Sequence, residues 1–128
     1  MRVLVDTHVF LWWAEGDRAL PAKARATLAD PENECLISLV SAWELAIKAG
    51  LGKLRLALPV KRYIVENVAA NGFRMLDIRI AHVGRVEALA SHHGDPFDRL
   101  LIAQALEEDL PVVTADPIFR KYGVKRIW

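Results

Sequence analysis

Five carboxylates in this chain stand where chemistry is possible: Asp6, Glu44, Asp95, Asp98 and Asp116. Asp6 closes the apolar run at residues 1–5, Glu44 follows the run at 34–39 by way of Ser41, and Asp116 follows the run at 110–114. Asp95 and Asp98 stand at the mouth of an apolar helix that opens at Pro96. If the apolar runs are parallel strands, all five acids share the rim at the strands' C-terminal ends, where open α/β sheets bind ligands. Carboxylates crowded at such a rim repel one another. A hard divalent cation, Mg²⁺ or Mn²⁺ with water completing its shell, relieves that repulsion. A second chemistry is also available to the same residues. Asp95 is a good N-cap with Pro96 at the first helical position and Asp98 at the third, and Ser41-x-x-Glu44 is a capping-box pattern. Asp6 is harder to explain as a cap alone, because an unpaired carboxylate at the end of an apolar strand is costly. Spacing by itself leaves both readings open.

The elements that must position these acids follow from the hydrophobic pattern. Residues 1–5 and 34–39 are short, nearly continuous apolar runs, as expected of strands covered on both faces. A helix over 7–14 is closed by Gly16, and a second over 21–29 is opened by Pro21 and stopped by Asp30-Pro31. The Ser41 pattern predicts a helix to Gly50, followed by a loop over 51–58. Pro59 opens a helix that runs to Asn71-Gly72, ahead of a short strand at 73–76. Residues 80–90 read as helix and 91–94 as a break. The Pro96 helix extends to about 108, residues 110–114 form a strand, Asp116-Pro117 caps a short turn, and 123–128 adds an edge strand. Strands alternating with helices predict an α/β fold with a mostly parallel sheet, and right-handed crossovers put helices on both faces.

The bulk composition narrows the class. With 128 residues, 53% of them hydrophobic and 26% charged, one globular domain over 1–128 is expected rather than a disordered chain. No apolar run approaches the ~20 residues needed to span a bilayer, and an acid at position 6 comes too early for a signal peptide. The single cysteine, Cys35, lies in an apolar run, which suits a reducing cytoplasm. Net charge is +1, yet residues 48–85 hold eight Lys and Arg (Lys48, Lys53 and Arg55 among them) against Glu66 and Asp77. That cluster is either a solvated face or an electrostatic track for a polyanion. His8, His82, His92 and His93 lack metal-ligand spacing and are expected at the surface or in loops, with a place near the rim as the alternative for His8 and His93. Trp12 and Trp13 cannot both point inward from one helix, so an exposed tryptophan at an interface is expected.

Asp6-Thr7-His8, Trp43-Glu44-Leu45-Ala46-Ile47-Lys48 with Gly52-Lys53-Leu54, Asp95-Pro96-Phe97-Asp98-Arg99 and Thr114-Ala115-Asp116 together resemble the PIN-domain ribonucleases. Among these, the chain is most similar to the VapC toxins of bacterial toxin–antitoxin pairs. Singly the motifs are weak. Four in order, spanning the whole chain, are specific. The resemblance implies a three-layer α/β/α sandwich and an acid quartet, Asp6, Glu44, Asp98 and Asp116, holding Mg²⁺ or Mn²⁺. Asp95 is then either a water-mediated fifth contact or only a cap, with Thr7 and Thr114 as helpers. It also implies RNA cleavage to 3′-hydroxyl and 5′-phosphate ends, a small antitoxin that fills the acidic groove, and a homodimer. Lys48, Lys53 and Arg55 are the expected phosphate contacts.

Two rival classes remain. A phosphoryl-transfer enzyme with an Asp nucleophile usually needs a second acid two residues on, where this chain has His8. A non-catalytic partner-binding module, its acids mere helix caps, is separated from a nuclease by whether the protein binds divalent metal tightly.

Overall fold

A computed structural model describes residues 1–128. Its elements run β1 (Arg2–Val5), α1 (Thr7–Glu15), α2 (Ala22–Ala29), β2 (Glu34–Ser38), α3 (Leu39–Gly50), α4 (Val60–Ala70), β3 (Arg74–Leu76), α5 (Ile80–Glu87), α6 (Pro96–Glu107), β4 (Val112–Val113), α7 (Ile118–Lys121) and β5 (Arg126–Ile127). The strands form one sheet in the order β3-β2-β1-β4-β5, and every pair is parallel. Val5 sits opposite Ile37 on one side and Val113 on the other, so β1, β2 and β4 end level with one another. The chain builds outward from β1 to β3, then returns to place β4 on the other flank of β1. The crevice between β1 and β4 is therefore the switch point of the sheet.

Strand alternation divides the core into two layers. Val3, Val5, Cys35, Ile37 and Val113 pack with Val9 and Phe10 of α1, Ala24 and Leu28 of α2, and Tyr63 and Ile64 of α4. Leu4, Leu36 and Val112 turn the other way, onto Leu101, Ile102 and Ala105 of α6 and Phe119 of α7. Helix α3 serves both layers, through Leu45 on one side and Val40 on the other. The result is the expected α/β/α sandwich. No helix is long and apolar enough to cross a membrane.

Several expectations are corrected. Helix α3 starts at Leu39, not at Ser41, because Ser38 caps it: the Ser38 hydroxyl accepts from the Val40 N–H at 3.0 Å and donates to Gln104 Oε1 of α6. Ser41-x-x-Glu44 is thus not a capping box, and both residues point from inside the helix into buried surroundings. Helix α5 stops at Glu87, short of the predicted residue 90, and residues 88–95 form a connecting segment. His82, expected at the surface, is fully buried. Its Nδ1 accepts from the Arg79 N–H and its Nε2 lies 3.0 Å from Glu108, pinning α5 to the end of α6. Of the tryptophans, Trp12 and Trp13 are both half-buried against the core, and Trp43 is the exposed one at 52%.

Candidate metal centre

The turn from β1 to α1 fixes Asp6. This residue is 3% exposed, in extended conformation, at the N-cap of α1. Its Oδ1 accepts from the Thr7 N–H at 2.7 Å, and its Oδ2 accepts from the Thr114 hydroxyl at 2.7 Å. Burial pushes its carboxyl up to about 6, against those two hydrogen bonds and with added repulsion from Glu44 and Asp116. Thr114 also sets Asp116, since its Oγ1 accepts from the Asp116 N–H at 3.0 Å. Arg126 braces the same turn by donating to the carbonyls of Thr114 and Ala115. Asp116 then uses Oδ1 to cap Ile118 at 2.9 Å. One threonine hydroxyl thus couples two acids from neighbouring strands.

His8 stands beside this pair. Its Nε2 accepts from the Ala115 N–H at 3.1 Å, so the ring proton is assigned to Nδ1, 3.3 Å from Asp6 Oδ2. Burial holds the His8 imidazole below its ordinary value, leaving it neutral near pH 7. Thr7 donates from Oγ1 to Ser41 Oγ at 2.8 Å, tying α1 to α3.

Glu44 enters from α3 and is 6% exposed. Its Oε2 pairs with Lys48 Nζ at 2.6 Å, while its Oε1 is buried with no hydrogen-bond partner. That hydrogen bond, strengthened by the nearby charges of Glu44, Asp95 and Asp98, raises the Lys48 ammonium above its ordinary value. From α6, Asp95 caps the helix by accepting from the Asp98 N–H at 3.0 Å. Asp98 sits in the first turn, its Oδ2 2.7 Å from His93 Nε2. Burial lifts Asp98 to about 6, with Asp6 adding repulsion and His93 opposing it.

Asp6, Glu44, Asp95, Asp98 and Asp116 all line one cleft of about 360 Å³, together with Thr7, His8, Lys48 and Lys53. Arg55 does not; it faces an adjoining groove with Leu56 and Val60. A ring nitrogen of His93 and one oxygen each of Asp98 and Asp116 lie within 4.8 Å of one another. Carboxylate donors from four elements converge here, and a buried carboxylate oxygen without a partner is expensive. A hard divalent cation fits that donor set.

The structure brings together all four acids of the quartet that the resemblance implies, plus Asp95, Thr7, Lys48 and Lys53. His8 and His93 take the rim position that stood as their alternative, beside Asp6 and Asp98 respectively, and His93 also lies in the loop expected for it. His8 was legible in part, being two residues beyond Asp6. His93 lies 23 positions from Asp116 along the chain, and no local spacing connects them.

The PIN domain family matches residues 3–125. A ribonuclease of Mycobacterium tuberculosis, VapC22, is 31% identical over 121 residues, covering 94% of this chain and 91% of its own. Among solved structures, VapBC2 from Rickettsia felis bound to a promoter DNA fragment superposes over the full length of both chains, with a TM-score of 0.71 and 14% identity. A toxin–antitoxin complex from Klebsiella pneumoniae covers 89% of this chain and 86% of its own, with a TM-score of 0.51 and 19% identity. At those identities the two solved structures speak for the fold alone.

Proposed function

Because the chain belongs to the PIN-domain family, with a VapC ribonuclease among its relatives, we propose that it is a metal-dependent ribonuclease, the toxin of a toxin–antitoxin pair. The observation that carries the metal reading is the buried, unpartnered Oε1 of Glu44 in a cleft it shares with Asp6, Asp98 and Asp116. These four acids hold Mg²⁺ or Mn²⁺, and residues 1–128 act as one nuclease unit. Asp95 caps α6 and adds its charge to the cleft. When bound, the metal ion lowers the pKa of a coordinated water and offsets the charge of a phosphate displaced in line.

The chain's own residues do the rest. Thr114 and the Thr7 amide fix both oxygens of Asp6, so its carboxylate needs no reorganisation when the substrate arrives. Lys48 holds one Glu44 oxygen and leaves the other for the metal. Neutral His8 holds the Ala115 amide and faces Asp6, keeping the 114–116 turn against α1. The products carry 3′-hydroxyl and 5′-phosphate ends. End-labelling of cleaved RNA checks this, and 2′,3′-cyclic phosphate ends would overturn it, since they demand attack by the ribose rather than by water.

Lys53 at the cleft and Arg55 in the adjoining groove supply phosphate contacts, both being exposed. Lys48, by contrast, is committed to Glu44. Replacing Lys53 and Arg55 together with Ala should reduce the slope of log K against log salt for single-stranded RNA by about 1.4, roughly 0.7 for each phosphate left without its cation. An unchanged slope would make the cluster a solvated face. The partner is a small antitoxin whose C-terminal segment occupies the acidic cleft. A homodimer is supported by the exposed Trp43 and Val83, which share an apolar groove with Val86 and Leu100. A cytoplasmic setting suits the free, buried Cys35. The non-catalytic alternative, acids serving only as caps, leaves Glu44 unexplained because Ser38 already caps α3.

A further inference from the structure

The acid quartet accounts for Asp98 and Asp116 but gives no reason for the imidazole that lies near both. His93 lies on the segment between α5 and α6, and that segment is fastened. Its backbone N–H donates to the Tyr122 hydroxyl at 2.8 Å, and its carbonyl accepts from Arg99 Nη1 at 3.2 Å. The same guanidinium donates to the carbonyls of Ala90 at 2.9 Å, Val86 at 3.3 Å and Leu89 at 3.4 Å. Arg99 follows Asp98 directly on α6, so the residue that staples the segment is covalently next to the acid that the segment's imidazole meets. The ring is preorganised rather than loosely apposed.

Its position suits a ligand. Donors about 2.1 Å from one octahedral ion lie about 3.0 Å apart when adjacent and about 4.2 Å apart when opposite. His93 Nε2 is 2.7 Å from Asp98 Oδ2, and a ring nitrogen, an Asp98 oxygen and an Asp116 oxygen all fall within 4.8 Å of one another. A histidine that merely held Asp98 by a hydrogen bond would have no need to approach Asp116, which comes from a different element, the turn after β4. Convergence on both carboxylates is what a shared ion explains. The orphaned Oε1 of Glu44, lining the same cleft as Asp98 and Asp116, points to a ligand independently.

We propose that His93 is a nitrogen ligand of the metal centre and that this nitrogen makes the site select Mn²⁺ over Mg²⁺. The inference rests on the metal-dependent reading above. Imidazole suits transition metals, whereas an all-oxygen set suits Mg²⁺ and Mn²⁺ alike, so one nitrogen tilts the choice. Arg99 is then a positioning residue, acting through the segment it staples.

The test uses the full chain, stripped of metal and titrated with Mn²⁺ alone, and reads pulsed electron paramagnetic resonance without any RNA. Wild-type protein should show a directly coordinated ¹⁴N. His93→Gln should lose that signal and bind Mn²⁺ about tenfold or more weakly, while its Mg²⁺ affinity, measured by competition, changes by less than about threefold. His8→Gln should keep the ¹⁴N signal, which assigns it to the right ring. Wild-type protein that binds Mn²⁺ without ¹⁴N coupling, or coupling that persists in His93→Gln, overturns the ligand assignment and leaves the metal centre intact. Wild-type protein that binds no Mn²⁺ overturns the metal reading and this inference with it. A wild-type spectrum without ¹⁴N decides against the proposal by itself, and a signal retained in His8→Gln excludes the other ring at the cleft, so misfolding of His93→Gln alone does not blunt the result.

Discussion

Exchanging any one of Asp6, Glu44, Asp98 or Asp116 for its amide should lower RNA cleavage by about a thousandfold or more, while Asp109→Asn leaves it within about twofold. The magnitude follows from what each carboxylate does. The metal contributes several kcal/mol of transition-state charge stabilisation, and each ~1.4 kcal/mol lost is tenfold in rate. The amides are close in shape, and in Asp6→Asn the side-chain carbonyl can still accept a hydrogen bond, so lost charge rather than lost packing is what the comparison reads. Asp109 is a fair control because it is exposed and its φ of 52° is a left-handed conformation that Asn tolerates well. Excess EDTA should abolish wild-type cleavage, and Mn²⁺ or Mg²⁺ should restore it, but neither ion should rescue the variants. Cleavage that persists in EDTA, or a quartet variant that cleaves at the wild-type rate, would remove the metal from the mechanism. Far-ultraviolet circular dichroism on each variant separates lost chemistry from lost fold.

The site is legible in the sequence wherever its geometry is local. Asp95-Pro96-Phe97-Asp98 places a cap, the first helical residue and a first-turn acid by chain connectivity alone, and the structure agrees. Asp6 and Asp116 are legible for a similar reason, each being attached to the end of an apolar strand. Helix α3 misleads because two serines three positions apart both fit a cap. The choice falls to Ser38 through Gln104, a partner 66 positions away that no local pattern carries. The pattern that singles out Glu44 therefore does not operate. Its own environment, buried on α3 beside Lys48, is a stronger reason to notice it. His82 escapes the sequence on the same ground, being placed by Glu108, 26 positions away and just beyond α6. His93 meets Asp98 only five positions on, and what no local spacing carries is its approach to Asp116.

The metal-free protein should become more stable as the pH falls from about 7.5 to about 5, the reverse of ordinary acid weakening. Asp6 and Asp98 are each raised from 3.8 to about 6 in the folded state, chiefly by burial. Between 3.8 and about 6 the folded chain therefore binds more protons than the unfolded one, and stability must fall as pH rises through that window. A carboxyl raised from 3.8 to about 6 contributes about 3 kcal/mol at most, and partial exposure of Asp98 reduces its share. His8 works the other way. Its imidazole is held below its ordinary value by burial, so acidification below about 6.5 charges the unfolded chain first and costs stability. Two carboxylates outweigh one imidazole, and the net gain should raise the melting temperature by roughly 5–10 °C on going from pH 7.5 to pH 5 in EDTA. The gain from Asp6 and Asp98 is exhausted only below about 3.8, and there Glu108, held below its ordinary value chiefly by its hydrogen bond with His82, loses that stabilisation as it is protonated. Asp6→Asn and Asp98→Asn should each flatten the rise, and His8→Gln should steepen it. Saturating Mn²⁺ should reverse the slope, since the ion competes with protons for the same oxygens and binds best where they are ionised. A metal-free melting temperature that stays flat or falls between pH 7.5 and pH 5 would mean that the rim acids are relieved without an ion, and the strain assigned to the cleft would be gone.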